Sequence, residues 1–207
     1  MASQGPLSPG TVVDDATVGT VAWINPDNAK VSDDSKARAS LSSTISHYLK
    51  ATNFGFSIPT GATINGILVE VERLMTGTQP NVKDSKVLII KGGVIGSTDK
   101  ADTVNVWPLT DTYKSYGSSS ELWGETWTPA DINDSGFGFV ISATGFADVS
   151  SAKADVDHIR ITVYYTVEAP TLGAGMPIGL LLALTYAGTE SPTAHKIFTR
   201  LMMGYGF

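Results

Sequence analysis

A chain of 207 residues with 42% hydrophobic content suits one domain with a modest appendage and has ample material for a core. Only 16% of residues are charged, the formal net charge is -6, and there is no cysteine. This balance excludes disulfides, thiolate metal sites and cysteine nucleophiles, and it argues against a nucleic-acid binder, which presents a basic face.

The opening MASQGPLSPG carries no basic residue and no apolar run, so no secretory leader is expected. Val18 to Trp23 and Leu41 to Leu49 are weak strand candidates. Gly66 to Leu74, GILVEVERL, places Ile67, Val69 and Val71 on one face with Glu70 and Glu72 opposite, the period-two mark of a half-buried strand. Lys86 to Ile95, KVLIIKGGVI, is more continuously apolar, with Gly92-Gly93 as a bulge or turn. Thr128-Pro129-Ala130-Asp131 opens a short helix, with a capping hydroxyl, a proline at the first position and an acid in the first turn. Gly136 to Ala143 points Phe137, Phe139, Ile141 and Ala143 one way. Asp157 to Tyr165 points Ile159, Ile161, Val163 and Tyr165 inward and His158, Arg160, Thr162 and Tyr164 outward. Thr193 to Met203 has helical spacing.

Many short strands with turn-rich joints predict an all-β antiparallel sandwich of jelly-roll type over residues 1–168. Its expected core is Ile67, Val69, Val71, Phe137, Phe139, Ile141, Ile159, Ile161 and Val163. Composition changes near residue 168, where Pro170 and Gly173-Ala174-Gly175 form a joint. The run Met176 to Leu184 falls short of the roughly 20 residues that a membrane helix needs, so no membrane anchor is expected. Residues 169–207 are instead expected to form an assembly segment, with Ile178, Leu180, Leu181, Leu182 and Leu184 at the interface.

Catalytic signals are scarce. His47, His158 and His195 stand far apart and form no metal-binding pair, and His158 is expected on the outer face of its strand. Asp14-Asp15, Asp33-Asp34, Asp131 with Asp134, and Asp155 with Asp157 are candidate calcium ligands. The simpler expectation is that these acids line turns and cap helices. Neither an enzyme, a cofactor nor an obligatory metal is expected. The unusual stretch is Trp107 to Trp127, which holds Trp107, Tyr113, Tyr116, Trp123 and Trp127. Tyr113, Tyr116, Trp123 and Trp127 could offer a glycan or protein platform, or the loop could fold back and cap one open end of the core. The second reading is favoured because large rings bury well.

Several phrases occur in order: Trp23-Ile-Asn-Pro-Asp-Asn-Ala29, Asn53-Phe-Gly-Phe-Ser-Ile-Pro59, Gly66 to Arg73, Leu122-Trp123-Gly124, Trp127-Thr-Pro-Ala-Asp-Ile-Asn133 and the terminal DHIRITVYYT. Together with Tyr116-Gly117 and Phe137-Gly138 they resemble β-sandwich virion structural proteins of tailed bacteriophages, over about residues 10 to 166. The resemblance implies a non-enzymatic subunit of the capsid or tail surface: a decoration, head-fibre or tail-appendage protein assembled in the host cytoplasm. Its expected partners are other virion proteins and copies of itself, with neither nucleic acid nor membrane. It transfers no binding or catalytic residue. The alternative is a carbohydrate-binding module that recognises host surface glycans through the Trp/Tyr loop.

Overall fold

The computed structural model describes residues 1–77, 81–146 and 152–168. The chain divides into two units, 1–167 and 168–207, and the fold below is that of the first. The helix expected at 193–203 and the interface residues Ile178, Leu180, Leu181, Leu182 and Leu184 lie outside the described residues.

Ten strands run in chain order: β1 (Ala2–Leu7), β2 (Thr11–Asp15), β3 (Ala37–Leu41), β4 (Tyr48–Thr52), β5 (Thr63–Thr76), β6 (Val82–Lys91), β7 (Val94–Ile95), β8 (Thr112–Gly117), β9 (Gly138–Gly145) and β10 (Ala152–Thr166). A 3₁₀ turn occupies Pro26–Ala29 and the helix α1 occupies Pro129–Asn133. One sheet has the order β1-β10-β5-β8, with β3 also paired to β10; the other has the order β2-β4-β9-β6-β7. All ladders between named strands are antiparallel.

β10 has 15 residues and spans about 50 Å. That length lets β3 pair along residues 152–156 and β1 along residues 161–165 of the same edge. From β3 onward the chain crosses between sheets in the sequence β3, β4, β5, β6 with β7, β8, β9, β10. The outcome is β3-β10-β5-β8 packed on β4-β9-β6-β7, an antiparallel sandwich with jelly-roll connectivity.

All nine predicted core residues are at most 1% exposed and join one cluster between the sheets. Each such side chain contributes about 1.5–3 kcal/mol relative to exposure. Gly92 and Gly93 make the two-residue turn between β6 and β7, both with positive φ, which a hairpin of this length demands. α1 forms where the sequence places it: the Thr128 side chain accepts from the Asp131 N–H, and the Asp131 carboxylate accepts from the Thr128 N–H.

Two sequence expectations need correction. Leu41 to Leu49 is not one strand, because β3 ends at Leu41 and β4 starts at Tyr48 after the chain has changed sheets. Val18 to Trp23 forms only a bridge from Val21 to Ser46, and Trp23 is held instead by its indole N–H, which donates to the His47 carbonyl at 2.8 Å.

Candidate functional site

The aromatic stretch resolves into three environments, and β8 explains why. Residues 113 and 116 are three apart on a strand, so they face opposite sides of the sheet. Tyr116 pairs with Val69 and points into the core, whereas Tyr113 pairs with Glu72 on the outer face. Trp107, Tyr116 and Trp123 are 1%, 3% and 1% exposed. Trp127 and Tyr113 are half-buried.

Trp123 reaches its buried position through backbone in the left-handed region, at φ 59°, which is unfavourable for a side chain of this size. Three bonds hold the turn. The indole N–H donates to the Ile67 carbonyl at 3.0 Å, the Trp123 N–H donates to Glu121 Oε1 at 2.8 Å, and Glu121 Oε2 receives Lys100 Nζ at 2.7 Å. Gly117 lies where Trp123 folds over the strand; a Cβ there would meet the Ile67 carbonyl and the indole nitrogen at once. This loop is built to deliver a ring into the core. Tyr116 and Trp123 therefore present no face to a ligand in solution, and two of the four candidate glycan contacts remain.

Neither remaining ring is free. Trp127 donates to the Leu122 carbonyl at 2.9 Å, meets Phe137 edge-on at 5.4 Å and has Lys91 Nζ 5.6 Å from its centre. The Tyr113 ring lies under the Arg160 guanidinium at 3.8 Å, and its hydroxyl is 2.9 Å from His158 Nδ1.

A buried ion pair closes one end of the core. Arg73 continues the inward series of Ile67, Val69 and Val71 and is 3% exposed; it pairs with Asp84 of β6. Asp84 also accepts from the Trp107 indole at 2.7 Å, from the Tyr116 hydroxyl at 2.8 Å and from the Asp102 N–H at 2.8 Å. The guanidinium lies 4.6 Å from the Trp107 ring centre. Burial, together with the Asp84 charge and against the pull of Arg73, pushes the Tyr116 phenol far above its ordinary value. Arg73 lies within the run Gly66 to Leu74 that the sequence marks as a strand, at the inward position after Val71, so the period alone aims an arginine at the core.

The outer face of the β10 sheet carries a second polar network. Glu70 receives Arg160 through two bonds of 2.9 and 3.0 Å, and Asp155 receives Arg38 at 2.6 and 2.9 Å. His158 lies on this face as expected, but it is 8% exposed rather than open to water. The segment after the 3₁₀ turn crosses over it through a bridge from Lys30, and Ser8 Oγ sits 2.8 Å from Nε2. Burial, helped by the nearby Arg160 charge, lowers the His158 pKa, which favours the neutral ring.

A bulge between Val156 and His158 breaks the β10 alternation and adds Asp157 to the outer face, 2% exposed. Burial holds the Asp157 carboxyl above its ordinary value. One of its carboxylate oxygens lies within 4.8 Å of one from Asp34 and one from Asp111. Most other candidate calcium ligands are spent on turns and pairs. Asp14 accepts from the Trp23 N–H and contacts His47 at 2.8 Å, Asp15 meets Lys50, Asp131 caps α1, and Asp134 accepts from the Gly136 N–H. His195 lies outside the described residues.

No protein-family model and no curated protein matches this chain. Solved structures do. The chain is similar to the second N-terminal cellulose-binding domain of Cellulomonas fimi beta-1,4-glucanase C, at 13% identity over 80% of this chain and 100% of that one, with a TM-score of 0.39. It is also similar to the CBM22-1–GH10 modules of Clostridium thermocellum endo-1,4-beta-D-xylanase 10B complexed with xylohexaose, at 10% identity over 83% of this chain and 28% of that one, with a TM-score of 0.34. Likeness at this level carries no functional argument.

Proposed function

We propose that this chain is a non-enzymatic structural subunit of a bacteriophage particle, placed on the capsid or tail surface and assembled in the host cytoplasm. The inward use of the aromatic loop carries this reading. Trp107, Tyr116 and Trp123 fill the core, while Tyr113 and Trp127 are covered by Arg160 and Lys91, so the loop stiffens the sandwich. Aliphatic side chains are exposed: Val104 at 77% and Leu109 at 65% in the segment before β8, and Val94 at 71% in β7. Such groups suit contacts with copies of the same chain or with other virion proteins. Residues 170–207 act as the assembly element in this reading.

Sedimentation of the full chain and of a chain ending at residue 168 tests it. The full chain is expected to associate and the shorter one to remain a folded monomer. A shorter chain that associates equally well contradicts the role of the tail.

A second reading, recognition of host surface glycan, is favoured by one observation. A groove of about 480 Å³ is lined by Lys91, Val94, Glu125 and Asp131, a mix of apolar and polar groups that suits a sugar, and its Lys91 Nζ lies 5.6 Å from the Trp127 ring centre. Glycan-array binding that is abolished by Trp127→Ala in a folded protein would select this reading over a purely structural one.

A further inference from the structure

Asp34 lies in the loop before β3, Asp111 immediately precedes β8, and Asp157 occupies the β10 bulge. Loops collect acids readily, so their convergence alone says little. Asp157 is different. It is 2% exposed, its Oδ2 accepts the Asp34 N–H at 3.3 Å, and its Oδ1 has no hydrogen-bond partner. Buried carboxylate oxygens are normally supplied with donors or cations. Asp111 Oδ1 and Glu72 Oε2 are also buried without a partner, and Glu72 stands opposite His158, the residue after Asp157, in the β5–β10 ladder.

The Lys36 charge acts on Asp157 through space but is hydrogen-bonded to none of these oxygens. Lys36 Nζ is 2.9 Å from Asp111 Oδ2 and 3.4 Å from Asp34 Oδ1, and it bonds none of the three unpartnered atoms. The neighbouring Arg160 is engaged on both sides of its fork by Glu70. The site therefore has an excess of carboxylate oxygen, part of it dehydrated.

We propose that Asp34, Asp111 and Asp157, with Glu72 alongside, bind a calcium ion. The donors are all hard oxygens from separate segments, and Ca²⁺ accepts six to eight of them in irregular geometry, whereas Mg²⁺ demands a near-ideal octahedron. His158 offers no nitrogen for a softer metal, because its two ring nitrogens face Ser8 and Tyr113. The ion ties the loop before β3 and the start of β8 to the bulge. This assignment is independent of the particle role.

The experiment titrates CaCl₂ into the full chain after removal of metal with a chelator, by calorimetry, alongside thermal melting. The expected result is one site with a Kd on the order of 10⁻⁴ M and a melting temperature that rises with Ca²⁺. Asp111→Asn, at a position 26% exposed in its side chain, should retain the fold and weaken binding about tenfold or more. Lys36→Met should tighten binding by removing the competing ammonium. If wild type and Lys36→Met both give neither heat nor a melting shift, Lys36 is the cluster's only cation and the proposal fails. Binding unchanged in both Asp111→Asn and Asp34→Asn places the ion elsewhere and also overturns it.

Discussion

The outer faces of the two sheets solve the same problem in opposite ways. On the β9 sheet, Tyr48, Leu88, Ile90 and Val140 form a small second apolar cluster, with Val18 and Ile95 packed on it. On the β10 sheet, the corresponding surface is covered by paired charges, Glu70 with Arg160 and Asp155 with Arg38, and by the Tyr113–His158–Ser8 chain. Apolar cover gains from burial itself, whereas polar cover only recovers what desolvation costs unless each group finds its partner. The first face should be sensitive to volume and the second to pairing.

The largest effect should come where a charged pair lies between the sheets rather than outside them. Asp84→Ala strands Arg73 at 3% exposure and removes the acceptor of Trp107 and Tyr116. A loss of about 3–5 kcal/mol is expected in urea unfolding. A smaller loss would mean that water or a neighbouring group takes over the charge.

Ile90→Ala comes next. Ile90 is fully buried on the outer side of the β9 sheet, and its truncation should cost about 2–5 kcal/mol by the same measurement. A value below that range would show that the cluster collapses around the gap and that apolar cover on this face is loose. Glu70→Gln tests the opposite face. Its pair with Arg160 is partly solvated, with side chains 19% and 28% exposed, so a loss of roughly 1 kcal/mol or less is expected.

Legibility in the sequence follows the same division. β5, β9 and β10 were readable because one face alternates cleanly. β6 appeared continuously apolar because Val87 and Ile89 point to the core while Leu88 and Ile90 point to the outer cluster. β1, ASQGPL, and β2, TVVDD, are short edge strands with little apolar pattern, and only pairing with β10 and β4 reveals them. β8, TYKSYG, was hidden inside the aromatic loop; recognised as a strand, its parity separates Tyr116 from Tyr113 at once. The acidic cluster was not legible as a unit. Asp34, Asp111 and Asp157 come from three distant segments, and the bulge that presents Asp157 shows in the sequence only as a change of parity, from Ala152, Ala154 and Val156 to Ile159, Ile161 and Val163.

The smallest expected effect concerns acid. The Asn105 N–H and then Lys114 hold the Asp102 carboxyl well below the usual carboxylate range, and Lys100 and then the Trp123 N–H lower that of Glu121. A depressed native pKa favours the native state above the unfolded values of 3.8 and 4.5, and that stability declines as pH falls below them. Melting temperature should therefore fall as pH is lowered from about 4.5 to about 2, and less steeply in Asp102→Asn. An identical slope in the variant would assign the acid sensitivity to other carboxylates.

Electron cryo-microscopy of particles assembled from the genome that encodes this chain tests the structural-subunit account most directly. The account predicts many symmetry-related copies of the 1–168 sandwich on the particle surface, each joined to its neighbours through residues 170–207. Complete particles that contain no copy of the chain would contradict it.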